Sequence, residues 1–205
     1  QLGQAMLAQA LAALSVWDVS GHDVGSVAVN LSAAELRDPN LPHRIAWEID
    51  RHDLTPDRLT LEVLESVISD APDDIISRNI AALADLGCGI DLDDFGTGHA
   101  SITSIRRFAV SRIKIDRSFV SRLDTDREQQ RMVAAILTMC ERLDLGAVAE
   151  GVETPGEHTI LAQLGCGHVQ GFGIARPMPF DETLAWLERH NASRTAPPDV
   201  CRRMG

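Results

Sequence analysis

Leu2, Met6, Leu7, Ala10, Leu11 and Leu14 recur at three- and four-residue intervals, so residues 2–16 are predicted to form an amphipathic helix. Beyond it the hydrophobic pattern becomes a repeating unit: a short β-branched or small apolar run, a loop, then a longer helical period. The runs are Val27-Ala28-Val29, Leu59-Thr60-Leu61, Cys88-Gly89-Ile90, Arg112-Ile113-Lys114-Ile115, Ala147-Val148-Ala149 and Gly167-His168-Val169. Helical patterns fall between them at 73–85, 127–143 and 155–164, with shorter ones at 41–51 and 101–107 and a last one at 181–190. Strands alternating with helices predict a parallel sheet with right-handed crossovers. No repeat or linker interrupts the pattern, so residues 1–190 are expected to form one domain. Residues 191–205, with Pro197-Pro198 and scattered polar side chains, read as a loosely attached tail.

Polar residues follow the apolar runs in a regular way. The first ends in Asn30, the second carries Glu62 and the third leads to Asp93-Asp94. The fourth holds Lys114 before Asp116, the fifth ends in Glu150 with Glu153 close behind, and the sixth ends in Gln170. One such residue alone reads as a helix cap or a solvated loop acid. In succession at strand ends they read as a single site. A doubly wound sheet gathers its site at one switch point, whereas a closed ring lets successive strands converge at their C-terminal ends. The expected fold is therefore α/β, a parallel barrel rather than a doubly wound sheet.

Composition narrows the chemistry. Hydrophobic residues make up 44% of the 205 and charged residues 24%, the balance of a globular protein with a real core. Lys and Arg number 19 against 30 Asp and Glu, a net charge of −11 that disfavours a nucleic-acid or polybasic membrane partner. Cys88, Cys140, Cys166 and Cys201 lie at no metal or redox spacing and read as buried or idle thiols. The apolar stretch from Ala5 to Trp17 is too short to span a bilayer and lacks a basic flank before it. The chain opens on Gln rather than Met, so residues are expected upstream. Trp17, Trp47 and Trp186 are expected to pack between helices rather than to stack on bases.

Clustered carboxylates repel one another unless a cation sits among them. Asn30, Glu62, Asp93 and Asp94 offer the oxygen ligands that hard divalent ions prefer, and no imidazole or thiolate joins them. A lysine among them can hold a water or a developing anion. Together they suggest hydrolysis of a phosphate ester by a metal-activated water. The segment Asp93-Asp94-Phe95-Gly96-Thr97-Gly98-His99 lacks the GK[ST] of a P-loop and a complete dinucleotide fingerprint, and reads as a tight metal-site turn.

Several long motifs now carry a resemblance. Asn30-Leu31-Ser32, LEVLES from Leu61, DDFGTG from Asp93, IKIDRSFV from Ile113, AEGVET from Ala149 and LGCGHVQGFGIARPMP from Leu164 resemble the EAL domain family over about residues 1–190. The resemblance implies a modified (β/α)₈ barrel and a cytoplasmic phosphodiesterase, or the cytoplasmic portion of a membrane-anchored protein. Its substrate would be the bacterial second messenger cyclic di-GMP, cut to linear pGpG with two Mg²⁺ or Mn²⁺ ions. It further implies a homodimer, with fused GGDEF or sensory domains as possible companions upstream.

By motif, Asn30, Glu62, Asp93, Asp94 and Glu150 would be metal ligands, Asp93 the bridge between the ions. Lys114 would position the attacking water and Glu150 would serve as general base. Glu153 and Gln170 would line the substrate and metal site, Arg176 and Pro177 would lie near the substrate, and Glu65 would steady the DDFGTG loop.

Two departures stand out. The Glu-Ala-Leu segment that names the family is absent from the chain, as is the strand that would carry it, so about six of eight strands are expected here. His99, Ala100 and Ile102 replace the Tyr, Ser and Leu common after DDFGTG. The competing reading is a catalytically inactive or truncated EAL domain that binds cyclic di-GMP or a protein; a barrel enzyme for another phosphoester is a third.

Overall fold

The computed structural model describes residues 2–69, 75–97, 105 and 108–195. All six apolar runs become strands: β1 (Val27–Leu31), β2 (Leu59–Leu64), β3 (Gly89–Phe95), β4 (Arg112–Ile115), β5 (Gly146–Ala149) and β6 (His168–Val169). They bond in chain order and every neighbouring pair is parallel. No strand order reverses, so there is no switch point of the doubly wound kind. The sheet is an arc of a TIM-like barrel with helices along its outside.

The helices follow from the apolar periods and their caps. In α1 (Leu2–Val19), Leu7, Leu11 and Leu14 are buried, while Met6 is left exposed. Ser32 and Glu35 close a capping box on α2 (Ala33–Leu36). Leu41, Ile45 and Ile49 form the buried stripe of α3 (Leu41–Arg51). Glu65 opens α4 (Glu65–Ser69), and Ile76, Ile80 and Leu83 face the core from α5 (Ile75–Leu86). The short α6 (Arg117–Val120) precedes α7 (Arg127–Arg142), whose N-cap Asp126 accepts from the backbone N–H of Glu128 and Gln129. Then come α8 (Pro155–Gln163) and α9 (Phe180–Thr195). No described helix is long and apolar enough to cross a membrane.

Some expectations shift. The last helix runs on to Thr195 and takes in the first residues of the expected tail, because nothing from Asn191 to Thr195 breaks a helix before Pro197. Residues 196–205, Gly98, His99, Ala100, Ile102 and all but Ile105 of the predicted 101–107 helix lie outside the described residues. Trp17 does pack between helices: its ring meets Phe180 at 6.1 Å and its Nε1 donates to Thr183 Oγ1 at 3.0 Å, tying the first helix to the last. Trp186 stacks on His190 within α9. Trp47 does not pack as expected. It is 58% exposed with the Arg51 guanidinium over its ring, because α3 turns its opposite face to the core. Burial pushes the Cys88 and Cys140 thiols up to about 11, which leaves them unreactive at neutral pH.

β1 and β6 are the sheet's outer strands, and a groove of about 730 Å³ runs beside β1, lined by Met6, Ala10, Val29 and Leu64 among others. Unpaired edges next to apolar surface invite association. Expressed as residues 1–205 alone, the polypeptide is expected to aggregate or to pair with another chain. A cooperative thermal transition from a monomer in light scattering would overturn this.

Candidate metal and active site

Successive strand residues point to opposite faces, and parallel neighbours in register share a face. Asn30, Glu62, Asp91, Arg112 and Gly146 are register partners across five strands. They form one interior row. Asp91 is almost wholly buried and grips Arg112 with both oxygens: Arg112 Nε donates to Oδ1 at 3.0 Å and Nη2 to Oδ2 at 2.7 Å. The Arg112 stem fills the space where Gly146 has no side chain.

The next layer toward the C-terminal end carries Asp93 and Lys114, and Glu150 follows two residues beyond Val148, the register partner of Lys114. Lys114 is buried, and its ammonium lies 2.9 Å from Glu62, 2.9 Å from Asp93 and 2.8 Å from Glu150. All three of its protons therefore meet carboxylates from three other strands or strand ends. Burial opposes its charge, but Glu150, Glu62 and Asp93 outweigh that and hold the ammonium well above its ordinary range.

Asp93 and Asp94 are adjacent, so a regular strand would send them to opposite faces. Here β3 carries a bulge: Leu92 pairs with Ile113 but Phe95 with Ile115, one residue more on β3 than on β4. Asp94 takes a left-handed φ of 56° at that point. The bulge brings both aspartates to one side, where a carboxylate oxygen each from Asp93, Asp94 and Glu150 lie within 4.8 Å of one another. Burial raises the Glu150 carboxyl above its usual range, because one lysine is shared among three acids and cannot offset it. Burial and then the neighbouring Asp93 do the same for Asp94. An excess of negative charge with only oxygen donors fits a hard divalent cation.

The remaining candidates fall around this centre. Glu65 is buried and its Oε2 accepts from the Gly96 N–H at 2.9 Å, on the turn that follows Asp94. Asn30 shares Glu62's row but is exposed on the outer strand. Glu153 pairs with Arg117 at 3.0 Å at the rim. Gln170 is exposed, while its backbone N–H and C=O join the chain on either side of Glu150, at Ala149 and Val152. Arg176 and Pro177 are exposed, and the Arg176 guanidinium lies 4.7 Å over the Phe172 ring. Asp116 has already left β4: it caps α6 by accepting from Ser118 N–H at 2.9 Å.

Sequence reading missed Asp91, Arg112 and Glu157. For the first two, the signal was the two-residue spacing to Asp93 and Lys114. For Glu157 it was the capping-box pattern Thr154-Pro155-Gly156-Glu157. The buried Glu157 carboxylate accepts from the backbone N–H of Arg122, Glu153 and Thr154 at 3.0, 2.9 and 3.0 Å. Burial opposes its ionisation, but those donors outweigh it and hold the carboxyl below the ordinary range.

A depressed folded pKa gives stability that is full above the unfolded value and lost as pH falls through the folded one. Glu157→Ala is thus expected to cost about 2–3 kcal/mol at pH 7 in urea titrations, by losing the cap and stranding backbone donors. The gap from wild type should narrow as pH drops below about 4.

Known proteins share both the sequence and the fold. The family model described as "EAL domain" matches residues 1–177. A Pseudomonas aeruginosa protein, the bifunctional diguanylate cyclase/cyclic di-GMP phosphodiesterase MucR, is 38% identical over 186 residues, covering 90% of this chain and 27% of that protein. Cyclic di-GMP phosphodiesterase NbdA of the same organism is 32% identical over 198 residues, covering 97% of this chain and 25% of NbdA. The chain thus spans about a quarter of these relatives' length. A solved structure of the PaMucR phosphodiesterase in complex with c-di-GMP superposes with a TM-score of 0.82 at 37% identity, over 89% of this chain and 74% of that one.

Proposed function

The chain belongs to the EAL domain family, and on that premise we propose that it hydrolyses cyclic di-GMP to linear pGpG with Mg²⁺ or Mn²⁺. One observation carries the reading: the buried Lys114 held by Glu62, Asp93 and Glu150, beside the three-carboxylate cluster of Asp93, Asp94 and Glu150. Asp93, Asp94 and Glu150 would hold the metal, with Glu62 and Asn30 beside them in the adjoining strands. A divalent ion bound there supplies a water of lowered pKa and charge neutralisation at the phosphate.

The chain's own residues do the rest. Lys114 would position the attacking water, and its fixed positive charge screens the carboxylates from one another. Glu150, with its raised affinity for a proton, accepts one from the attacking water as the new P–O bond forms. The bond from phosphorus to the leaving 3′-oxygen breaks and that oxygen is protonated, so one water is consumed per ring opened. Glu153, Gln170, Arg176 and Pro177 are assigned to the substrate. Glu65 is assigned to the turn after β3. The same reading includes a cytoplasmic setting, a homodimer and companion domains such as GGDEF modules, in keeping with the bifunctional description of MucR.

The test is product formation by the natural polypeptide that carries residues 1–205, with Mg²⁺ or Mn²⁺. Conversion of cyclic di-GMP to pGpG is expected. Binding without product under both ions would replace the enzyme by a cyclic di-GMP-binding module. Asp93→Asn is expected to weaken Mn²⁺ binding in calorimetry and to remove turnover; unchanged turnover would take Asp93 out of the metal site.

A further inference from the structure

The four-residue helix α6 leaves β4 just beyond Lys114 and touches the turns on both sides of the carboxylate cluster. On one side Phe119 lies against Gly96, two residues past Asp94. A Cβ on Gly96 would fall 2.5 Å from Phe119 Cε2, and Gly96 holds a φ of +100° that a larger residue resists. On the other side the Arg117 stem covers Gly151, the residue after Glu150. A Cβ there would fall 2.5 Å from Arg117 Cγ, and φ is +67°.

The helix is itself anchored. Asp116 caps it, Gln129 Nε2 of α7 donates to Ser118 O at 2.9 Å, and Glu157 of α8 accepts from the N–H of Arg122 just beyond it at 3.0 Å.

We propose that α6 is a spacer, with Phe119 and Arg117 as positioning residues that set the separation of Asp93–Asp94 from Glu150 and so preorganise the metal site. The proposal rests on the metal-site reading above. Lys114, and a cation bound among the three carboxylates, draw the turns that carry them inward, and a rigid body between those turns sets how far they close. The ring on Gly96 and the stem on Gly151 supply that body. The Arg117–Glu153 ion pair contributes little, since both side chains are largely exposed. Precise support of ligands by groups behind them is what metal affinity depends on.

The test is Mn²⁺ titration by calorimetry, paired with kcat and KM for cyclic di-GMP, in the natural polypeptide. Phe119→Ala and Arg117→Ala are expected to weaken Mn²⁺ binding by about 10-fold or more, and to lower kcat with KM little changed. Phe119→Leu and Arg117→Met, which keep bulk without ring or charge, should recover most of the affinity. Leu161→Ala, a fully buried change on α8 away from both turns, should lower the melting temperature while leaving Mn²⁺ affinity at wild type.

Wild-type Mn²⁺ affinity in both alanine variants would overturn the spacer, as would an equal loss in Leu161→Ala. Should Phe119→Ala fail to fold, Arg117→Ala and Arg117→Met decide between the same two outcomes. A wild type that binds no Mn²⁺ brings down the metal reading and the spacer together; a wild type that binds it, with variants that match, brings down the spacer alone.

Discussion

Lys114→Ala is expected to lower the turnover of cyclic di-GMP by about 10²–10⁴-fold, the range for loss of a preorganised electrostatic or proton-handling group. The variant should still bind the ligand. Lys114 is the cation that Glu62, Asp93 and Glu150 share, at 2.9, 2.9 and 2.8 Å. Without it those carboxylates face one another in a buried layer, and one of them is expected to take up a proton instead. Glu150→Ala should give a loss of similar size by a different route, since it removes the proton acceptor and one corner of the carboxylate cluster. The measurement is pGpG formation with Mn²⁺ beside a binding titration for each variant. Wild-type rates in both would show that neither residue has the role given to it.

Asp91→Ala is expected to cost about 3–5 kcal/mol of stability, the largest effect of any single change considered. Its carboxylate is buried and receives both arms of the Arg112 fork, so its removal leaves a partly buried guanidinium without its partner. Breaking such a pair from one side is far more costly than replacing both members by apolar groups. The double variant Asp91→Leu, Arg112→Met should therefore recover most of the loss. Denaturant titrations of the two singles and the double form a cycle. A single-variant cost below about 1 kcal/mol, the level of an exposed pair, would mean that the Asp91–Arg112 contact does not brace the sheet. Because Asp91 and Arg112 occupy the row beneath Lys114, the same variants should also disturb the layer above.

The strands were legible in the sequence because each apolar run is short, punctuated and followed by a helical period. That is why β4 and β6 fall where the runs at 112–115 and 167–169 predict. Glu62, Asp93, Lys114 and Glu150 could be read as one site from their shared place at strand ends. The helix ends were less legible. Nothing in the pattern marks Thr195 rather than His190 as the limit of α9. Trp47 looked like a packing residue by type, and only the orientation of α3 leaves it exposed. Asp116 looked like a neighbour of Lys114 by two-residue spacing, yet β4 ends at Ile115 and the side chain turns to cap α6.

By itself the sequence determined the order and parallel sense of the strands, the family, and the residue types gathered at one end of the sheet. These follow from local periodicity and from motif identity, both of which are properties of short stretches of chain. Only the tertiary structure decided how those residues meet. The bulge at Asp93-Asp94 depends on β3 and β4 being unequal in length between two pairing points, which neither strand reveals alone. The threefold grip on Lys114 and the placement of Phe119 and Arg117 against Gly96 and Gly151 join groups far apart in the chain. Charge and packing act through space, so contacts of that kind exist only once the sheet has curved and brought its C-terminal edge together.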